Sequence, residues 1–151
     1  MVFQEEVLWL SGLGNTVSDR KRGKMESLVK EFLQQKNFAV VGSFRDETKY
    51  AVKILRDLKR RGHEVFPVNP KVNEVDGIKC YRTITEIPHE VDVVDIVTPP
   101  AVTEKIVEEC FEKSIKRVWI QPGAESEKAI NYCRENGIDV VYGLCIMMEK
   151  L

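Results

Sequence analysis

Short apolar runs alternate with amphipathic stretches over most of this chain. The runs are rich in β-branched residues, which is typical of strands buried on both faces of a parallel sheet. They lie at residues 38–41, 64–68, 91–97, 116–120 and 138–142. Because helical patterns separate most of them, the chain is predicted to have an α/β, Rossmann-like, doubly wound fold: a mostly parallel five-stranded sheet with helices on both faces.

The helical stretches repeat apolar positions at helical spacing. Met25 is predicted to open the first helix, and Asp46 or Thr48 to cap the helix that follows the first strand. Residues 126–136 form the last predicted helix. Residues 72–90 show no clear period, so we expect an irregular segment there, with a short edge strand at 78–81 and one helical turn near 83–87.

The length of 151 residues fits one domain, but residues 1–24 are unlike the rest. The predicted organisation is an N-terminal extension of uncertain order over residues 1–24, followed by the Rossmann-like domain over residues 25–151. Two interpretations of the extension stay open. Either Met25 is the natural start, or residues 1–24 are an arm that docks through Trp9 and Leu10.

Composition excludes several function classes. The net charge of −1 gives no global electrostatic case for nucleic acid or an anionic membrane. The apolar run Val7–Leu10 is too short for a signal peptide or a membrane span. The four cysteines form no CxxC pair and have no histidine at metal-ligand spacing. We therefore expect a reduced, cytoplasmic protein without a structural metal.

The turn after the first strand is the strongest candidate for ligand binding. A strand, the turn at Gly42 and a helix start aim free backbone N–H groups and a positive helix end at one point, which suits a phosphate. The turns that follow parallel strands meet at one edge of the sheet. Gly42–Lys49, Asn69–Lys71, Thr98–Pro100 and Gln121–Ala124 are therefore predicted to form one site.

The motifs restrict the phosphate ligand. A dinucleotide fingerprint needs three glycines after the first strand and an acid after the second. Here Gly42 stands alone before Ser43-Phe44-Arg45, and the second strand ends in Asn69-Pro70-Lys71. A lysine at that place suits a ribose that carries a phosphate, as in NADP or coenzyme A. No Walker A motif occurs in the chain.

From about residue 37 to 149 the chain resembles the small stand-alone CoA-binding proteins. These share their fold with the CoA-binding domains of the succinyl-CoA synthetase α subunit and of NDP-forming acyl-CoA synthetases. The matching segments, in order, are VVGSFRDETKYAVKIL, VFPVNPK, DIVTPP, VWIQPGA and GLCIMME. Their joint order and spacing carry the resemblance, which implies coenzyme A as the cofactor.

The resemblance also implies the binding mode. The first loop would wrap the pyrophosphate, the second turn would lie beside the adenosine with Lys71 at its 3′-phosphate, and the later turns would follow the pantetheine arm. The implied cofactor-binding residues are Gly42, Ser43, Phe44, Arg45, Lys49, Tyr50, Pro67, Asn69, Pro70, Lys71, Thr98, Pro99, Pro100, Gln121, Pro122 and Gly123. The synthetases have a glycine-richer first loop, so side chains must contribute more here.

We find no nucleophile–base pair and no paired carboxylates placed for acid–base catalysis, so no catalytic residue is predicted. The sequence favours a binding module for CoA or a short acyl-CoA over an enzyme. Three alternatives stay open: an NAD(P)-binding redox sensor or regulator, a subunit of an acyl-CoA enzyme, and a redox or regulatory protein in which the thiol of bound CoA exchanges with Cys145. Expected partners are the small molecule and either another protein or a second copy, with no nucleic acid and no membrane.

Overall fold

The computed structural model describes residues 17–151, with side chains from residue 22. The helices are α1 (Val17–Leu33), α2 (Tyr50–Arg60), α3 (Pro100–Glu112) and α4 (Glu127–Glu135). The strands are β1 (Asn37–Gly42), β2 (Glu64–Val68), β3 (Glu74–Val75), β4 (Ile78–Lys79), β5 (Val93–Val97), β6 (Arg117–Ile120) and β7 (Asp139–Tyr142). Single 3₁₀ turns occur at Ile84–Glu86 and Ile146–Met148.

The main sheet has five strands in the order β2-β1-β5-β6-β7, and every pairing is parallel. This confirms the predicted α/β Rossmann-like class. The chain winds from β1 outward to β2, returns to β5 beside β1, and then winds the other way through β6 and β7. The direction of winding therefore reverses between β1 and β5, where sheets of this kind form their ligand crevice.

Each face of the sheet is covered by its own core. On β1, Phe38 and Val40 point to the face covered by α1 and α2, which we call the first face. Ala39 and Val41 point to the second face, covered by α3 and α4. This alternation follows from the two-residue period of a strand. The middle of the sheet is buried on both sides, so its turns are held on a rigid base.

Pro67 lies in β2 opposite Val40 of β1. Because β2 is an edge strand of the main sheet, it tolerates a residue without an N–H group. The sequence placed this strand correctly at Glu64–Val68.

The prediction that Met25 opens the first helix is wrong, because α1 already includes Val17. Lysine, arginine and serine continue a helix without an apolar stripe, so the charged stretch before Met25 gave no periodic signal. The predicted domain boundary at residue 25 falls inside α1. Residues 1–16, with the proposed arm at Trp9 and Leu10, lie outside the described residues.

The segment between β2 and β5 is more regular than predicted. β3 and β4 form a separate antiparallel hairpin, in which Glu74 pairs with Lys79. The predicted strand at 78–81 is thus shorter than expected and pairs with β3, while a single bridge joins Val68 to Tyr81. The predicted helical turn is confirmed at Ile84–Glu86.

Candidate functional site

The four predicted turns follow β1, β2, β5 and β6, at the carboxyl edge of the sheet. We call the segments 42–49, 69–71, 98–100 and 121–124 the edge crevice. β1 and β5 are neighbours and mark the reversal of winding, so segments 42–49 and 98–100 flank its centre. The site residues predicted from the sequence therefore lie along one edge.

The loop after β1 is shaped by Asp46. Its carboxylate accepts hydrogen bonds from the backbone N–H of Thr48 at 2.8 Å and from the Thr48 hydroxyl. These bonds, helped by the charges of Lys49 and Arg45, hold the pKa of Asp46 below its usual value. The predicted capping role of Asp46 or Thr48 is wrong, because Lys49 is the N-cap of α2 and its side chain caps nothing.

Several backbone donors remain free around this loop. The N–H groups of residues 44–47, and those of Tyr50 and Ala51 in the first turn of α2, donate no hydrogen bond within the described residues. A helix start without a side-chain cap presents a partial positive charge and unsatisfied donors. This loop is therefore chemically suited to an anion.

The side chains of the loop after β1 differ in burial. Phe44 is buried in the first-face core, whereas Ser43 and Arg45 are exposed. Tyr50 is 63% exposed, and the Lys53 ammonium lies 5.5 Å from its ring centroid. Phe44 therefore ties the loop to the first-face core.

Gly42 is required for packing. A Cβ at this position would lie 2.7 Å from the Ala51 Cβ and 2.9 Å from the Val97 carbonyl oxygen. Here the strand packs against α2 and its neighbouring strand too closely for any side chain. The sequence alone leaves two roles for Gly42, room for a phosphate or strand–helix packing, and the structure gives it a packing reason that needs no ligand.

Asn69 braces the second turn. Its Nδ2 donates to the Gly42 carbonyl at 2.7 Å, and its Oδ1 accepts the Lys71 N–H at 2.7 Å. Pro67 is buried, while Pro70 and Lys71 are exposed. Among the described residues, Lys71 makes no ion pair or side-chain hydrogen bond, so its ammonium is available at this turn.

The turn after β5 starts a helix. Pro99 is the N-cap of α3 and Pro100 its first residue, the position where a missing N–H costs least. The Thr98 hydroxyl lies 2.8 Å from that of the fully buried Thr103. Thr98 is thus partly committed to the fold, and Pro99 and Pro100 present exposed rings to the crevice rim.

Gln121, in the turn after β6, is 3% exposed and has its polar groups paired internally. Its Nε2 donates to Asp95 Oδ1 at 2.5 Å, and its Oε1 accepts the Ile146 N–H at 3.2 Å. Its backbone N–H and carbonyl are also bonded, to Ile96 and Ala124. Pro122 and Gly123 after it are exposed, and Gly123 has a φ of +93°.

Asp95 was missed by the sequence interpretation. It lies in the middle of β5, is fully buried, and its Oδ2 has no hydrogen-bond partner within the described residues. Burial raises the pKa of this carboxyl to about 8, although the hydrogen bond from Gln121 opposes the shift. The available signal was a carboxyl with apolar residues on both sides, in the stretch Val93-Val94-Asp95-Ile96-Val97.

The described residues contain no cluster of three or more His, Cys, Asp or Glu side chains placed for a metal ion. Within the same part of the chain, no helix is long and apolar enough to cross a membrane. The four cysteines are free, three of them buried, and Cys145 is half-buried.

Comparison with known families assigns the chain to one of them. The model of the CoA binding domain matches residues 36–150. The chain belongs to this CoA-binding domain family. The match covers every strand of the main sheet and all four segments of the edge crevice, and it confirms the resemblance seen in the sequence.

Two curated proteins illustrate the range of the family. The ADP-forming acetate–CoA ligase of Methanocaldococcus jannaschii is 36% identical over 103 residues, which is 68% of this chain but 14% of the ligase. The uncharacterized protein YneT of Bacillus subtilis is 30% identical over 119 residues, 78% of this chain and 88% of that protein. The chain therefore spans a small part of the ligase and most of YneT.

A solved structure supports the fold assignment. A conserved hypothetical protein from Pyrococcus furiosus superposes with a TM-score of 0.73 at 41% sequence identity. The superposition covers 77% of this chain and 100% of the other. The CoA-binding fold of this chain thus also occurs as a separate small structure.

Proposed function

We propose that the chain binds coenzyme A, or a short acyl-CoA, along the edge crevice through its phosphates and adenosine. The observation that carries the proposal is a pair of exposed cations, Arg45 and Lys71, on the loops that follow the neighbouring strands β1 and β2. Neither forms an ion pair within the described residues. Two separate cations suit CoA, which carries a pyrophosphate and a distant 3′-phosphate.

The pyrophosphate would lie against the loop after β1. Free N–H groups at residues 44–47, the uncapped start of α2, and Arg45 together supply donors and positive charge. Lys49, which is half-buried at the N-cap of α2, adds a further positive charge to this loop. This agrees with the expectation that side chains support the backbone in a loop with only one glycine.

The adenosine would lie beside the turn after β2, with its 3′-phosphate at Lys71. The Asn69 brace fixes this turn against Gly42, so Lys71 projects from a rigid support. NAD fits less well, because the position of a ribose-binding acid is held by Asn69, whose amide is already bonded. No observation favours the NAD(P) alternative.

The pantetheine arm would follow the turns at 98–100 and 121–123. Since the Gln121 side chain is buried and paired, contact there would come from the exposed Pro122 and Gly123. We infer no catalytic machinery in the described residues, because no nucleophile is paired with a base in the crevice. A cytoplasmic location stays a prediction from the cysteine pattern.

A thermal-shift and calorimetry panel tests the proposal. CoA and acetyl-CoA are expected to raise the melting temperature, because a ligand that binds only the folded state stabilises it by mass action. NAD and ATP are expected to act weakly. The double variant Arg45→Ala/Lys71→Ala should lose the response, whereas Lys116→Ala, at the opposite edge, should keep it. A larger shift with NAD than with CoA would overturn the assignment.

A second candidate is a subunit that acts with a larger ligase partner. It is favoured by the identity to the acetate–CoA ligase, of which this chain covers 14%. The chain alone is then expected to form no acetyl-CoA from acetate, CoA and ATP. Turnover by the purified chain would contradict both proposals. The other partner that we expect is a second copy of the chain, in a homo-oligomer.

A further inference from the structure

The segment 143–149, which we call the C-terminal strap, is fastened to the first face by polar side chains. Trp119 Nε1 donates to the Leu144 carbonyl at 2.8 Å. Arg61 Nη2 donates to the carbonyls of Ile146 and Met147, each at 3.1 Å. Together with the Gln121 contact, these bonds hold a segment whose only regular structure is one 3₁₀ turn. The strap is therefore attached through side chains of β6, of the turn after it and of the C-cap of α2.

Asp95 lies directly behind the Gln121 contact. Gln121 joins the Asp95 carboxyl on one side to the Ile146 N–H on the other, at 2.5 and 3.2 Å. Val40 and Trp119 are the cross-strand partners of Asp95, so all three side chains point to the first face. The buried acid thus lies on the face that the strap covers, with Oδ2 unpartnered.

We propose that Asp95 is a positioning residue whose proton keeps the strap fastened to the turn after β6, so that opening of the strap releases one proton to water. A neutral acid is tolerated at this site because burying an uncharged carboxyl costs much less than burying a carboxylate. A carboxylate there is costly, since one oxygen has one donor and the other has none. Lifting the strap is the easiest way to hydrate it, because the flanking strands β1 and β6 are held by ladder hydrogen bonds.

Neighbouring charges do not explain the behaviour of Asp95. Most charged side chains of α1 and α2 are exposed, and the half-buried charged or titratable groups of α1, α2, β6 and the strap are Glu31, Asp57, Arg117, Cys145 and Glu149, together with Arg61 directly after α2. Glu31 pairs with Arg117 at 2.8 Å, and Asp57 with Arg61 at 2.9 Å. Within the described residues, burial and the Gln121 hydrogen bond are the causes of the pKa shift of Asp95.

The strap is coupled to the edge crevice because Gln121, a residue of the crevice, accepts the hydrogen bond from Ile146 of the strap. If CoA lies against the turn after β6, a step that rests on the proposed function, it should favour the fastened strap. The effect of CoA on strap opening thus follows from the proton-dependent contact, and it can be measured separately from the pH dependence of opening.

Amide hydrogen exchange of Ile146 between about pH 5 and 10 tests the proposal. After correction for intrinsic chemistry, strap opening in the wild type should increase by up to about tenfold per pH unit below the pKa of Asp95, then level off. Asp95→Asn mimics the protonated acid and should abolish this pH dependence. Asp139→Asn, which removes an exposed carboxylate at the start of β7, should keep it.

A flat wild-type profile, or an unchanged slope in Asp95→Asn, would overturn the proposal. So would equal exchange rates for Ile146 and the core amide of Val118, since opening would then be global unfolding. If Asp95→Asn does not fold, the wild-type profile still decides. Saturating CoA should slow amide exchange at Ile146. If only the proposed function fails, CoA will not shift the melting temperature, while the pH dependence of Ile146 exchange stays intact.

Discussion

Two halves of the same sheet edge are built in opposite ways. In the loops after β1 and β2, Arg45 and Lys71 are exposed and make no ion pair within the described residues, beside a row of free N–H groups. In the turn after β6, Gln121 is buried and every polar group it carries is bonded internally. Both regions hold polar residues at the carboxyl edge, yet only in the first are polar side chains and backbone donors left unpaired within the described residues.

The difference shows that the place of a residue at this edge brings it near the proposed ligand. It does not show whether the polar groups of that residue are free to bind. Asn69 shows the same distinction within the open half, since its amide braces the turn while the adjacent Lys71 stays free. Substitutions in the braced half, the turn after β6 with its partner Asp95, should change the free energy of unfolding and its pH dependence. Substitutions in the open half, the loops after β1 and β2, should change the affinity for CoA.

The largest effect is expected for Asp95→Asn, in the braced half. Burial raises the folded pKa of Asp95 to about 8, above its ordinary value of 3.8. The folded state then binds more protons than the unfolded state between these values, so the free energy of unfolding falls as pH rises through this window and is level above it. Asparagine removes that cost and should stabilise the protein by roughly 4–6 kcal/mol at pH 8.

Urea unfolding at pH 4, 6 and 8 measures this prediction. The gain should shrink towards zero at pH 4, where the wild-type acid is protonated in the folded state and close to its ordinary pKa of 3.8 in the unfolded state. Asp139→Asn is the matched control, because it removes the same charge from an exposed position. A variant that is less stable than wild type at pH 8 would contradict the neutral-acid interpretation.

Gly42→Ala should give the next largest effect. Its Cβ would meet the Ala51 Cβ and the Val97 carbonyl oxygen at under 3 Å, so strand and helix must shift, at a cost of about 1–3 kcal/mol. The melting temperature should fall equally with and without CoA. Gly123→Ala is a useful comparison, since its Cβ has open space and only the positive φ is strained. An unchanged melting temperature with lost CoA response would restore the phosphate-approach role.

The sequence predicted the sheet well because buried parallel strands leave a clear apolar signal. All five main strands were placed, and the chain order specified the edge where the turns meet. The sequence could not reveal which edge residues are free. The Asp95–Gln121 and Gln121–Ile146 contacts join residues 26 and 25 positions apart, and no local pattern encodes such pairs. The packing role of Gly42 has no local signal for the same reason, since its close neighbour Val97 is distant in sequence.

In the open half, Lys71→Ala should weaken CoA binding and leave dephospho-CoA nearly unchanged. A charge-assisted contact to a phosphate contributes about 1.5–3 kcal/mol, so calorimetry should show roughly a 10- to 150-fold loss for CoA. Lys116→Ala, exposed at the opposite edge, should alter neither ligand. Equal losses for CoA and dephospho-CoA would remove Lys71 from the 3′-phosphate position.

The smallest effect is expected for Arg56→Ala, which tests whether the open half is organised before the ligand arrives. Arg56 joins the loop after β1 to the β3–β4 hairpin, donating to Glu47 at 3.0 Å and to Asp76 at 2.8 Å. The hydrogen bond from Arg56 lowers the pKa of Asp76, but all three side chains are at least one-third exposed, where water screens such pairs. CoA affinity should therefore fall by at most about fivefold, with no clear change in melting temperature. Arg60→Ala, one turn further along α2 in the exposed pair with Asp57, should leave affinity unchanged. A much larger loss in Arg56→Ala would mean that the loop after β1 is braced as firmly as the turn after β6, and the contrast between the two halves would then rest on Lys71 alone.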